Sequence, residues 1–463
     1  MDLPRDDQRG SAELLDSAGP PAPPRGIPVL GDRALALPHP PSSLGEDPGR
    51  GAARHGPRPV SGHGSPAPGA RLLRPGHLSR GRRVRGKDLS GPGRAGGLYV
   101  HYPFCAAKCP YCHFYSEALS GEGLRTWRRG LEKEAAAAGA SGLRFDTLYL
   151  GGGTPSLLGP DDVARVREIA EARFRAEVTE FTLEANPCGP GAEFLRGWRA
   201  AGVTRLSVGV QSFDDGILRT LARPYAAAEA IRFCRTAREA GFEALAVDLM
   251  TGIPGETPES GASTVRTLLE LEPDHVSLYF LENVERLPFE ATLARHPVDE
   301  DSAVEGFRKM RDSLEAAGLR QYEISNFAHE GKECRHNLKY WRYEPFLGLG
   351  PSACSHVGGK RWCNRPSLAD WSGALERGED PRGETVDLDP QQSVREALSF
   401  GLRLVEGVDL PALRERFGVD IAALRAREID ELLADGLLIR DGGHLRIPVD
   451  RLLVSNAILS RLI

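Results

Sequence analysis

From Leu98 onward, short apolar runs alternate with longer stretches in which apolar residues recur every three to four positions. The runs are 98–103, 145–150, 180–185, 205–211, 243–250 and 275–281, each of strand length. Residues 124–138, 160–174, 192–201, 226–240 and 261–271 lie between them and carry the helical period; Asp161 and Asp162 open the second of these helices. Strands alternating with helices of this length predict parallel βα units. Six such units predict an α/β fold, a partial (β/α)6 barrel. A closed barrel of eight would need two more units, and the regularity weakens after residue 281.

Beyond the barrel, 302–317 predicts a helix ended by Gly318, and 321–327 predicts one more strand. Residues 331–366 have no period and are dense in Gly, His, Trp and Cys. A second block begins near 390, with helices over 394–404, 410–417 and 421–435. Asp441-Gly442-Gly443 between two apolar runs is a hairpin signal, and 451–462 predicts a last helix. Three helices and a hairpin read as a winged-helix-like α+β module. Glu428, Asp430 and Glu431 sit in the middle of its helices, which suits a packing or lid domain better than a DNA-binding one.

Residues 1–95 differ from everything that follows. Pro-rich clusters at 20–24 and 38–41, Gly-Pro-Gly-Arg-Ala-Gly-Gly at 91–97 and many arginines leave no sustained period. Such a stretch buries too little apolar surface to offset the entropy of ordering it, so a disordered extension is expected. A basic tail or a transit peptide is the functional reading. Asp2, Asp6 and Asp7 speak against transit, and an over-extended start is the blander reading.

Composition narrows the classes. At 463 residues the chain predicts two to three domains, and 27% charged residues with a net charge of −5 give no reason to expect a nucleic-acid partner. No apolar run approaches the roughly 20 residues of a membrane span, and the N-terminus lacks a signal-peptide core. Eight cysteines in this length do not make a disulfide scaffold, so a cytoplasmic, reducing location is expected. Cys188, Cys234 and Cys363 stand isolated.

Candidate chemistry begins where the first strand ends. Cys105, Cys109 and Cys112 lie on one loop, and three thiolates there can converge on a single metal centre. A structural zinc takes four protein ligands, whereas an iron–sulfur cubane held by three cysteines leaves one iron for another ligand. Gly151-Gly152-Gly153-Thr154-Pro155 follows the second strand, on the face where barrel active sites collect. Its exposed backbone groups suit a polar ligand. Glu184, Gln211 and Asp248 end the third, fourth and fifth strands, and Arg223 follows the fourth. Each alone would do no more than cap a helix; together they point into one cavity.

Cys-x3-Cys-x2-Cys, with Tyr99-Val100-His101-Tyr102-Pro103-Phe104 before it and His113-Phe114 after it, resembles the cluster loop of the radical S-adenosylmethionine (SAM) proteins. Within them it resembles the oxygen-independent coproporphyrinogen oxidase group, and in that group the HemW-like haem chaperones. The resemblance implies a [4Fe–4S] cluster on Cys105, Cys109 and Cys112. It implies SAM held by Tyr99, Gly152, Gly153, Thr154, Glu184, Gln211, Arg223 and Asp248, with Arg223 on its carboxylate or ribose. Reductive cleavage of SAM to methionine and a 5′-deoxyadenosyl radical would follow. His336-Asn337-Leu338-Lys339-Tyr340-Trp341 resembles the motif implicated in haem binding, which implies His336, Tyr340 and Trp341 as its haem residues. Near it, Cys354 stands where the family more often has His, and His356 lies two residues on; either could serve iron. His113 stands where the family usually has Asp, Thr251 where it has Tyr, and the family's His near Tyr225 is missing.

Two departures favour the chaperone branch. Phe114 replaces the oxidases' fourth cysteine, and residues 1–95 contain no counterpart of their substrate segment. The implied domains are 96–330 (barrel), 331–389 (connecting segment with the haem motif) and 390–463 (HemN-type winged-helix-like domain). The implied partners are haem as cargo, a flavodoxin- or ferredoxin-like electron donor, and membrane respiratory haemoproteins, with peripheral attachment at the inner membrane through them. Under this reading SAM cleavage is open and porphyrinogen turnover is not expected. The alternatives are a radical SAM coproporphyrinogen III oxidase and a non-enzymatic, metal-stabilised binding module.

Overall fold

The structure is a computed structural model that describes residues 95–139, 143–174, 176–189, 191–282, 284 and 286–463. Apart from Ala95, the extension expected to be disordered lies outside the described residues.

The six predicted runs form β1 (Gly96–Tyr102), β2 (Phe145–Gly152), β3 (Glu180–Ala185), β4 (Arg205–Gln211), β5 (Ala244–Thr251) and β6 (His275–Phe280), parallel and in chain order. Helices α1 (Gly121–Ala138), α2 (Pro160–Phe174), α3 (Ala192–Ala200), α4 (Asp215–Thr220), α5 (Ala227–Glu239) and α6 (Pro258–Leu269) connect them. α7 (Glu290–Arg295) and α8 (Glu300–Ala316) follow. Alternate residues divide each strand. Phe181 and Leu183 on β3, Leu206 and Val208 on β4, Val247 and Leu249 on β5, and Val276 on β6 are 0% exposed and belong to the main core. The residues between them are polar or small.

The strand expected over 321–327 is broken into β7 (Arg320–Gln321) and β8 (Asn326–Ala328). β8 runs antiparallel to β6, so the βα progression stops at that edge. The stretch expected to be irregular is instead structured. It holds α9 (Arg335–Trp341), β9 (Phe346–Leu349), β10 (Cys354–Val357) and β11 (Lys360–Asn364), and α10 (Leu368–Glu376) and β12 (Arg382–Asp387) follow it. β9 pairs parallel with β1 as a seventh parallel strand, and β10 to β12 extend the sheet antiparallel. The order is β12-β11-β10-β9-β1-β2-β3-β4-β5-β6-β8-β7. Cys363 is not isolated: Cys354 and Cys363 face each other across β10 and β11 and form a disulfide. That sulfur of Cys354 is therefore not an iron ligand here.

The last block is α11 (Pro390–Gly401), β13 (Val408–Asp409), α12 (Leu410–Phe417), α13 (Ile421–Leu424), α14 (Ala426–Ala434), β14 (Ile439–Asp441), β15 (His444–Arg446) and α15 (Ser455–Leu462). One helix was expected over 421–435; Arg425, at φ −120° and ψ 24°, splits it. Val449–Val454 is a 3-10 turn rather than the start of the last helix. The block packs around its own core, to which Tyr343 also contributes. Among the described residues, no helix is long and apolar enough to cross a membrane.

Candidate cluster and SAM cavity

The inward residues of β2 to β6 surround a cavity of 380 Å³. Cys105, Cys109 and Cys112 stand at its mouth, with Gly152, Gly153, Thr154, Glu184, Gln211, Arg223 and Asp248 around them. Tyr99 is not among the bordering residues; its phenol meets His101 Nδ1 at 2.9 Å.

The cluster loop is fixed at its stem. Phe104–Cys105 pairs parallel with Glu117–Ala118, and the Gly153 and Thr154 amides donate to the Tyr102 and Phe104 carbonyls at 2.7 and 2.8 Å. The glycine run is what allows this stitching: a Cβ on Gly153 would stand 2.4 Å from the Phe104 oxygen, and Gly152 has φ 114°. Thr154 Oγ1 donates to Cys105 Sγ at 3.5 Å. Arg223 reaches the loop rather than open cavity. Its Nη1 is 3.1 Å from Cys109 Sγ and 3.3 Å from the Tyr111 hydroxyl, its Nη2 donates to Asn186 Oδ1 and the Gly209 carbonyl, and its Nε donates to the Tyr225 hydroxyl. Tyr225 thus occupies this corner, where the family's His is missing.

Glu184 accepts from the Tyr149 hydroxyl at 2.8 Å and the Gly152 amide at 3.0 Å. Burial pushes its carboxyl up to about 7, against the pull of these two donors. Burial likewise pushes Asp248 up to about 6, while Ser277 and Ser207 hold it down. The three cluster-loop cysteines are all free. Among the described residues no three His, Cys, Asp or Glu side chains are gathered tightly enough for a single metal ion. A cubane of four irons spreads its thiolates more widely than one ion does, so three free thiols on one anchored loop fit such a cluster.

The haem candidates lie elsewhere. α9 closes the floor of the barrel, and of its end and first turns only Cys334 and Asn337 border the cavity. His336 is 1% exposed, with Nδ1 2.8 Å from Thr147 Oγ1 and Nε2 2.8 Å from the Tyr340 hydroxyl. Its ring lies 5.1 Å from that of Tyr149. Tyr340 and Trp341 are half-buried, and Trp341 lies 6.3 Å from Phe400 of α11. His356 is buried between Tyr343 and Phe346.

Comparison with known proteins agrees with this architecture. The Radical SAM superfamily matches residues 99–268, and the HemN C-terminal domain matches 388–448. "Heme chaperone HemW" of Bacillus subtilis (strain 168) is 31% identical over 349 residues, covering 73% of this chain and 92% of the relative. The chain belongs to the HemW family of radical SAM proteins. "Radical S-adenosyl methionine domain-containing protein 1, mitochondrial" of Mus musculus is 35% identical over 389 residues, covering 79% of this chain and 87% of the relative. The radical SAM coproporphyrinogen III oxidase (HemN) of Escherichia coli has the same fold, with a TM-score of 0.69 at 22% identity over 81% of this chain and 91% of that one. As in the radical SAM superfamily, the cofactors are a [4Fe–4S] cluster and SAM.

Residues that the sequence reading passed over line the deeper half of the cavity: Tyr149, Thr182, Arg205, Ser207, His275 and Tyr279. Their signal is strict alternation inside the apolar runs, as in Glu180-Phe181-Thr182-Leu183-Glu184 and Arg205-Leu206-Ser207-Val208-Gly209.

Proposed function

We propose that the protein is a SAM- and [4Fe–4S]-binding haem chaperone that takes up haem and transfers it to membrane respiratory haemoproteins. The observation that carries this reading is the match over 92% of a relative named "Heme chaperone HemW". Phe114 supports it: 47% exposed at the cavity mouth, it stands where an oxidase would carry a fourth cysteine. On this reading Cys105, Cys109 and Cys112 hold the cluster. Gly152, Gly153, Thr154, Glu184, Gln211 and Asp248 take SAM, with Tyr99 behind them and Arg223 fastening the loop. Bound together, cluster and SAM supply reductive cleavage of a carbon–sulfur bond. The chain's own contribution is to fix the loop, face the ammonium of SAM with the Glu184 carboxylate, and enclose the cavity. The haem motif is His336, Tyr340 and Trp341; the half-buried Tyr340 and Trp341 offer the accessible face, whereas His336 reaches iron only after a ring nitrogen is released by Tyr340 or Thr147. We also take 96–330, 331–389 and 390–463 as its three working units, a flavodoxin- or ferredoxin-like protein as electron donor, and the cytoplasm as its location, with membrane contact made through the recipients.

Anaerobic reconstitution of the cluster tests this. Haem binding followed by its Soret band, together with SAM cleavage or binding and no turnover of coproporphyrinogen III, is the expected result. Turnover without haem binding would establish the oxidase instead. A colourless protein that binds zinc and no SAM would establish a metal-stabilised module.

A further inference from the structure

The two ends of the barrel cavity differ in chemistry. At the mouth stand the acids Glu184 and Asp248. At the floor, about 7 Å further along β3 at ~3.3 Å per residue from Glu184 to Thr182, the cavity is bordered by Thr182, Arg205 and His275. Arg205 is 4% exposed. Its Nη2 donates to the carbonyls of Lys332 and Glu333, which pins the guanidinium, while Nε and Nη1 have no hydrogen-bond partner. Glu180 does not use them up. Its oxygens accept the Arg335 and His336 amides at 3.1 and 2.9 Å, capping α9, and it lies 3.6 Å from Arg205 Nε.

Two more groups join Arg205. Thr182, directly beside it in the β3–β4 register and 1% exposed, has an unpartnered hydroxyl. His275, 2% exposed, has an unpartnered Nδ1. The Tyr322 hydroxyl accepts from the Cys334 amide at 3.3 Å and lies 2.8 Å from His275 Nε2. That oxygen can either donate to Nε2 or accept from it; when it donates, Nδ1 carries the hydrogen of the neutral ring and is a donor toward the cavity. Arg205, Thr182 and His275 thus border one space with four polar atoms that lack a hydrogen-bond partner, beside a guanidinium whose charge is shared with Glu180.

We infer that the floor of the barrel is a second ligand site, distinct from the SAM candidates at the mouth, and that it takes a carboxylate on Arg205, Thr182 and His275. Planar guanidinium recognition suits a carboxylate, and the flanking hydroxyl and imidazole N–H add the remaining donors. The carboxylate comes either from a small free acid or from the acid side chain of a larger ligand held at α9, whose N-cap Cys334 and first-turn residue Asn337 border the cavity. Haem carries two such arms, so that source rests on the proposed function; the free-acid source does not.

The test uses the full chain with its cluster reconstituted. Calorimetry compares propionate with propionamide, and haem with haem dimethyl ester, whose acids are masked. Propionate binding that propionamide does not reproduce, weakened about tenfold by Arg205→Met and severalfold by Thr182→Val, establishes the site with a free acid. If propionate is silent, a preference for haem over its ester that both variants abolish establishes it with the porphyrin arm. Thr182→Val preserves shape, so it decides the matter should Arg205→Met fail to fold. Neither preference in the wild type, or preferences unmoved by Thr182→Val, would overturn the inference. Haem binding that ignores the ester leaves the proposed function standing while removing its porphyrin source.

Discussion

The Tyr149 hydroxyl donates to Glu184 Oε1 across 2.8 Å, from an inward position of β2. Glu184 is half-buried in the cavity wall, and this bond is one of the two that hold its carboxyl down toward ionisation. Tyr149→Phe removes it and leaves the Gly152 amide as its other donor. The carboxyl then ionises at higher pH than its present value of about 7. If Glu184 faces the SAM ammonium, the variant binds SAM about tenfold more weakly near pH 7, the equivalent of roughly 1.4 kcal/mol. The deficit shrinks as pH rises and Glu184 ionises in both proteins. Equal dissociation constants in wild type and variant across this range, by calorimetry, would show that Tyr149 does not act through Glu184.

A second buried acid ties the sheet extension to the barrel. Glu134 of α1 accepts from the Gly350 amide at 2.7 Å, Asn364 Nδ2 at 2.6 Å and the Trp371 indole at 3.1 Å. Burial nevertheless pushes it up to about 7 from an ordinary 4.5. The folded state therefore binds this proton more tightly than the unfolded state between those values, and stability falls as pH rises through them. From pH 6 to pH 8 this group alone removes about 1 kcal/mol. Glu134→Gln abolishes that component. It is less stable at pH 6, because its NH2 confronts the Asn364 amide donor. Denaturant unfolding at the two pH values, wild type against variant, reads the difference; parallel pH dependence would sink the assignment.

Legibility in the sequence followed periodicity and local motif. The six strands and their helices were readable because apolar runs and helical periods are both long there, and the cluster loop was readable because three cysteines sit within eight residues. The floor was hidden because Ala244 and Ala246 turn β5 into what looks like continuous apolar strand, and the alternation kept by Thr182 and Ser207 does not show which face encloses a cavity. β9 was hidden because Phe346–Leu349 is only four residues long and becomes a strand by pairing with β1, a contact 249 residues away at Gly97 and Phe346. The Cys354–Cys363 pairing depends on the register of β10 against β11, which no spacing announces. His336 was legible as a motif and not as a buried side chain, because burial is decided by β1 and β2.

The Cys354–Cys363 bridge closes a loop of sequence separation 9. A loop of that size restrains the unfolded chain by about 2–3 kcal/mol in the chain-entropy picture. Alkylation under denaturing, non-reducing conditions is expected to leave Cys354 and Cys363 unlabelled while Cys188, Cys234 and Cys334 react. Cys363→Ser is expected to lower the unfolding free energy by about that amount relative to oxidised protein, and to match wild type under reductant. Labelling of both cysteines in the oxidised protein, by peptide mass mapping, rules the bridge out.

His336→Ala is expected to act first on stability. The side chain is 1% exposed, both ring nitrogens are bonded, and its ring packs on Tyr149. Burial and the nearby Lys339 charge lower its pKa to about 3, so the imidazole is neutral in the folded protein. Removing it leaves a cavity and strands the Thr147 and Tyr340 hydroxyls, a loss of about 2–4 kcal/mol. The pH sign is opposite to that of Glu134. A base whose folded pKa is depressed costs stability as pH falls below its unfolded value near 6.5, because the unfolded chain takes up the proton. The variant lacks this component, so its deficit narrows toward pH 5. Tyr340→Phe, which cuts only the bond to Nε2, is expected to lose about 1 kcal/mol with no such pH signature. Haem titration of the two variants at matched folded fraction then separates roles. Loss of haem binding in Tyr340→Phe at full folding places the ligand on the outer face of α9. Loss seen in His336→Ala that disappears once the folded fractions are matched makes His336 the residue that seats the motif against the barrel floor.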